Sequence, residues 1–200
     1  MAKIEQLKFN ELAPDFELPN TDGGLTRLSS LWKDHTLLLT FTRHFGCPQC
    51  KEMIDSLVQQ IPDLATHKLM LAVITQGTVE TARVFCSERA PGILCLADPD
   101  RNCYHAYGLG QATLLQSVFS RRVMKSNKRL LAEKGWKAEL PPPGQDAFQM
   151  SGLFIIGQDG RIRLPYYYDD ISDHPPIDLL LGGVLGMDWS TPFDSPIKPE

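Results

Sequence analysis

No stretch of this 200-residue sequence is apolar for anything near the ~20 residues that a bilayer-spanning helix needs. The longest apolar runs, such as Leu37 to Leu39 with their neighbours, end within a few residues, so no membrane partner is expected. The amino terminus (Met1-Ala2-Lys3-Ile4-Glu5-Gln6-Leu7-Lys8) carries no signal-length apolar stretch and no small-residue cleavage site after one. A cytoplasmic location is the expectation. An excess of basic charge is missing too: the formal charge is −4, which speaks against nucleic acid as a partner. No glycine-rich loop follows a strand, so no bound nucleotide or flavin, and no other cofactor, is expected. Internal repeats and low-complexity tracts are absent. So is an even cysteine count. Five thiols cannot all pair within the chain, which disfavours a closed disulfide framework. At 42% hydrophobic and 22% charged residues, the chain can bury a core without staples. In a reducing compartment, a close cysteine pair is then catalytic or metal-binding rather than structural.

What is present reads as one domain over residues 1–200. Two short alternating segments flank Asn20-Thr21-Asp22-Gly23-Gly24, which predicts an N-terminal β-hairpin. Ser29 is expected to cap a helical turn. Residues 36–41 form a continuous apolar run suited to a strand covered on both faces. Met53, Ile54, Leu57, Val58 and Ile61 recur at helical spacing, predicting an amphipathic helix that stops near Pro62. Strands are expected at 68–74 and 93–97, with a helix over 79–89 capped by Thr78 between them. A turn at 98–101 leads to a short helix through Tyr107.

Residues 111–149 break this rhythm and read as a helical insertion. Residues 114–134 are helical in pattern. Their basic residues (Arg121, Arg122, Lys125, Lys128, Arg129) are read as a solvated face, and Pro141-Pro142-Pro143-Gly144 as an irregular stretch. A last hairpin is expected over 153–156 and 161–168, then a helix over 177–185 and a loosely held, flexible tail over 186–200. Helical patterns alternating with buried strands predict an α/β fold with a mixed central sheet flanked by helices.

Cys47-Pro48-Gln49-Cys50 is the sharpest feature. It falls where the first buried strand meets its helix. A thiol reacts as its thiolate, and a helix N-terminus favours negative charge. Pro48 suits the first helical turn, where its missing N–H has no partner to lose. Arg43 and His44, just upstream, are expected to bring positive charge. Cys50, one turn in, lies close enough to resolve a mixed disulfide or sulfenic acid formed at Cys47. The alternative is half of a zinc site. A structural zinc site takes four ligands, and Cys95, Cys103 and His105 stand at unrelated spacings, so no metal is expected. Cys86 and Cys95 read as core filler, while Cys103 is either filler or a distal thiol. His35, His67 and His105 read as exposed or satisfied. His174, in Asp173-His174-Pro175-Pro176, reaches the site only if that turn folds back.

Several segments together carry a resemblance. Leu12-Ala13-Pro14-Asp15-Phe16 with Asp22-Gly23, Leu96 to Asp100 with Tyr107-Gly108, and Phe154-Ile155-Ile156 with Asp159-Gly160-Arg161-Ile162 resemble peroxiredoxins and related proteins. Arg43-His44-Phe45-Gly46-Cys47-Pro48-Gln49-Cys50, with Asp173 to Pro176, is more specifically similar to the peroxiredoxin-like subgroup of the alkyl hydroperoxide reductase and thiol-specific antioxidant (AhpC/TSA) proteins. The resemblance implies a thioredoxin-like fold and thiol-dependent antioxidant oxidoreductase activity, with Cys47 attacking and Cys50 as its partner. Arg43 and His44 join them as catalytic candidates, and Thr42, Phe45, Pro48 and Ser151 as substrate-pocket candidates. True peroxiredoxins have Pro seven residues before the attacking Cys and Thr or Ser three before, where Thr40 and His44 stand. Their later Arg falls near Ser151.

The expected substrate is a peroxide. The expected reductant is an external thiol (thioredoxin, glutaredoxin or glutathione), and a homodimer is a further expectation. Two other readings stand beside this one: a reductase of disulfides or of small oxidised substrates such as endoperoxides or quinones, and a non-enzymatic, zinc-bound or partner-binding module.

Overall fold

The computed structural model describes residues 5–183 and Trp189. Strand β3 (Thr36–Phe41) lies at the centre of a five-stranded sheet ordered β5-β4-β3-β6-β7. It pairs in parallel with β4 (Leu69–Thr75), which pairs in parallel with β5 (Leu94–Ala97). On its other side β3 runs antiparallel to β6 (Gly152–Ile156), which forms the last hairpin with β7 (Ile162–Tyr167). The N-terminal hairpin, β1 (Glu17–Pro19) and β2 (Leu25–Arg27), stands apart as a two-stranded ribbon. A single bridge from Asn20 to Leu96 ties it to β5.

All six residues of β3 are buried, because successive side chains enter two different cores. Leu38, with Val73, Leu153 and Ile155, packs against Met53, Ile54 and Leu57 of α2 (Pro48–Gln59), Phe85 of α4 (Val79–Arg89) and Val123 of α6 (Arg121–Lys134). Leu37, Leu39 and Phe41 face the other way, onto Leu28 and Trp32 of α1 (Leu28–Trp32) and Tyr104 of α5 (Asn102–Ala106). This is the mixed sheet flanked by helices, with N-terminal hairpin and late helical insertion, that the sequence predicts.

Several local expectations are corrected. Helix α1 starts at Leu28 with Arg27 as its flanking residue, so Ser29 lies inside the helix; its N–H donates to Asp15 from the preceding segment. Helix α2 stops at Gln59, and Pro62 opens a further helix, α3 (Ile61–Thr66), because a proline fits a first turn and not an interior. The helical pattern over 114–134 is broken at Ser120. A π-helical turn (Leu115–Phe119) ends there, and the Ser120 hydroxyl accepts from the Arg122 N–H to start α6. Helix α7 is Ile177–Gly182, and residues 184–185 of its expected span lie outside the described residues. The expected tail lies outside the described residues except for Trp189, which is buried and donates to the Leu180 carbonyl.

The largest correction concerns thiols. Cys86, near the end of α4, and Cys95, in β5, are joined as a disulfide with their Cα atoms 6.6 Å apart, inside the usual range. Both are buried as expected, but they are a staple and not separate filler. Cys103 is a free, fully buried thiol; burial pushes its ionisation far up, and the Asp98 carboxylate adds to the effect. It is core and not a distal reactive thiol.

Candidate active site

The carboxyl end of β3 delivers Thr42, Arg43 and His44 into a tight approach to α2. The Cys47 N–H donates to the His44 carbonyl, and Cys47 itself is the extended residue preceding the helix. Pro48 occupies the first helical position. The thiol of Cys47 therefore stands at the helix N-terminus as the spacing predicts, with Cys50 one turn behind.

Arg43 organises the pair. Its Nη1 lies 3.3 Å from the Cys47 Sγ, and its backbone N–H donates to the Cys50 Sγ at 3.3 Å. The rest of the guanidinium is spent on the loop opposite: Nε donates to the Gln149 carbonyl at 3.0 Å and Nη2 to the Ala147 carbonyl. Burial alone would push the Cys47 thiol up. The hydrogen bond from Cys50 and the Arg43 charge outweigh it and hold Cys47 at about 6, far below an ordinary thiol. Cys50 moves the opposite way: burial, then its bond to Cys47, raise it well above the usual value. At neutral pH the arrangement is thus a Cys47 thiolate beside a Cys50 thiol. That is the division of labour between an attacking and a resolving sulfur.

His44 does not contribute charge. Burial, reinforced by the adjacent Arg43, lowers it to about 4, so it is neutral at physiological pH. The positive charge near Cys47 comes from Arg43 alone of the two. Thr42 points its bonds elsewhere: its hydroxyl and N–H both donate to the Ile74 carbonyl, and its own carbonyl accepts from the Tyr104 hydroxyl. It continues the sheet and does not touch the sulfurs. Ser151 does face them, its Oγ 3.9 Å from the Cys50 Sγ. Phe45 stacks on Phe85 with ring centroids 4.4 Å apart. It lines a surface cavity of about 460 Å³ with Lys51, Val84 and Pro142. The turn at 173–176 folds back onto α2, but it places His174 at Glu52 (3.9 Å) and Tyr168, not at the sulfurs; burial pushes this histidine towards the neutral form.

Sequence reasoning missed the glutamines and the loop they hold. Gln49 Oε1 lies 3.5 Å from the Cys47 Sγ, while its Nε2 donates to Asn127 of α6 at 2.6 Å. Gln76 Nε2 donates to the Arg43 and Asp146 carbonyls, and its Oε1 accepts from the Asp146 N–H. Gln145 accepts from the Phe45 N–H at 2.9 Å. The Glu139 N–H donates to the Gly46 carbonyl. A Cβ at Gly46 would stand 2.7 Å from the carbonyl oxygens of both Glu139 and Leu140, so only glycine lets the loop lie flat on the motif. The effect is closure: Cys47 is 1% and Cys50 2% exposed. Among the described residues no three His, Cys, Asp or Glu side chains gather where they could hold a metal ion.

A buried dithiol at the strand-to-helix junction of this sheet, its outer sulfur held as thiolate, defines a thioredoxin-like thiol oxidoreductase. A model of the AhpC/TSA family matches residues 9–164, and the chain belongs to that family. It is 28% identical over 185 residues to peroxiredoxin-like 2C of Bos taurus, covering 88% of this chain and 81% of that protein. It is 27% identical over 164 residues to a prostamide/prostaglandin F synthase of Salmo salar, covering 80% of each. Among solved structures, peroxidoxin BcpB of Mycobacterium tuberculosis superposes with a TM-score of 0.61 over 84% of this chain and 90% of its own, at 18% identity, a likeness of fold alone.

Proposed function

We propose that the protein reduces peroxides, cycling Cys47 and Cys50 between dithiol and disulfide. The Cys47 thiolate attacks one peroxide oxygen; the O–O bond breaks and the other oxygen leaves, protonated, as alcohol or water. Cys47 is now a sulfenic acid. The Cys50 sulfur attacks it, the S–O bond breaks, and the hydroxyl leaves as water with the Cys50 proton. An external thiol reductant, one dithiol of the thioredoxin or glutaredoxin kind or two molecules of glutathione, returns two electrons and two protons and leaves as its own disulfide. The observation that carries this reading is the Arg43 guanidinium 3.3 Å from the Cys47 sulfur, beside a Cys50 that stays protonated. Peptide mapping after one equivalent of hydrogen peroxide tests it. A Cys47–Cys50 disulfide should form, and Cys50→Ser should leave a sulfenic acid at Cys47 that a cyclic diketone traps. A persistent dithiol would overturn it.

A second reading has its own support: the resemblance to a prostamide/prostaglandin F synthase, and the apolar cavity beside Phe45, favour a bulkier oxidised substrate such as an endoperoxide. Turnover of a bicyclic endoperoxide at a rate above that of hydrogen peroxide would decide for it.

A further inference from the structure

A cavity of about 330 Å³ lies behind the redox helix, between α2, α6 and the turn that carries His174. Its size falls at the lower end of the ~300–1,000 Å³ range of small-ligand sites. Met53, Leu57, Leu153 and Leu180 give it an apolar floor. The rim is basic. Arg122, Lys125 and Arg129 lie on one stripe of α6, three and four residues apart. Two of these charges are already neutralised: Arg122 stands 2.6 Å from Asp173, and Arg129 2.7 Å from Glu52, the one carboxylate that lines the cavity. Lys125 has no ion-pair partner among the described residues.

One further group is left wanting. Ser126, next along the helix and 8% exposed, has a buried hydroxyl with no hydrogen-bond partner. The His174 ring lines the same cavity, its Nε2 3.9 Å from Glu52, an ion-pair distance too long for a hydrogen bond. Buried polar groups are nearly always satisfied, so unfilled bonding capacity gathered on one cavity points to an occupant. A metal cation would meet arginines and lysine. A polyanion would meet the apolar floor. An apolar molecule without charge would leave the Lys125 ammonium and the Ser126 hydroxyl unused.

We propose that this cavity binds a monocarboxylate with an apolar tail, the carboxylate held by Lys125 and Ser126 and the tail laid over Met53, Leu57 and Leu180. The site is distinct from the dithiol but connected to it. Asn127, beside Ser126, accepts from Gln49, whose other amide atom contacts the Cys47 sulfur. An occupant that shifts α6 is therefore felt at the attacking thiol.

Calorimetric titration of the full chain tests this, with decanoate, acetate and decanol as probes. Decanoate should bind with one-to-one stoichiometry, acetate should give no saturable heat, and decanol should bind about tenfold more weakly for want of a charged head. Lys125 is exposed, so Lys125→Ala should fold normally; it should weaken decanoate about tenfold and leave decanol unchanged. The proposal is overturned by no saturable heat with decanoate, by decanol binding as tightly, or by undiminished decanoate affinity in Lys125→Ala. None of these readouts passes through Cys47, so the outcome stands whatever becomes of the peroxide reading.

Discussion

Arg43 is asked to serve two partners with one guanidinium. It stabilises a thiolate on one side and hangs a loop from its other donors on the far side. Its loss should therefore be felt first in chemistry. If Arg43→Met returns Cys47 towards the ordinary thiol value of ~8.5, the thiolate fraction at pH 7 falls from about 90% to about 3%, roughly thirtyfold. The sign follows from an acid whose ionisation is depressed: in the native protein Cys47 alkylation should be full above about pH 6 and fall as the pH drops through it. Arg43→Met should move that midpoint upward, with the Cys50 hydrogen bond still acting on the thiol. His44→Gln should leave the midpoint where it is, since a histidine lowered to about 4 carries no charge there. Alkylation rates against pH for the three proteins check both. At this scale Cys47, Cys50, Arg43 and Ser151 were legible, because thiols and a nearby cation announce themselves within a short window or through resemblance. Gln49, Gln76 and Gln145 were not. An amide has no titration or spacing signature, and Gln76 and Gln145 meet partners 70 to 100 residues away.

The element-scale surprise is the link between α4 and β5. An odd cysteine count argues against a framework that uses every thiol, but it is silent on one bond among five sulfurs. Periodicity placed Cys86 on a helix and Cys95 in a strand correctly; it does not report that the helix end lies over that strand. A disulfide across nine residues removes chain entropy worth about 2–3 kcal/mol in the loop-closure account. Reduction, or Cys86→Ser, should thus lower the melting temperature by about 5–10 °C for a domain of this size. Non-reducing peptide mapping together with thermal unfolding checks it; two free thiols at 86 and 95 in the purified protein would refute it. The insertion shows a parallel lesson. Its helical pattern and basic face were both readable, but the break at Ser120 depends on a hydroxyl that accepts locally and also donates to Asp170, fifty residues on.

At the scale of the whole molecule, β3 is the common wall of two cores, and its apolar continuity made the sheet readable from sequence alone. Leu38→Ala opens one core at its centre and should cost about 3 kcal/mol, read as a lowered urea midpoint with an unchanged slope. The Cys47 pH midpoint should persist in whatever fraction remains folded, because Arg43 and the start of α2 are untouched. The mixed topology, the late insertion and the buried dithiol all belong to one arrangement, in which the sheet's carboxyl edge offers the sulfurs and the insertion covers them.

That cover sets a tempo. Both sulfurs are buried and the loop that follows α6 is bonded to Gly46 and Gln76, so the proposed reaction of Cys47 with an oxidant would require that loop to lift. At low oxidant the rate follows collisions. Where opening is slower than the chemistry, the rate at high oxidant levels off at the frequency of opening. Selectivity then belongs less to the sulfur than to whichever molecule the open interval admits.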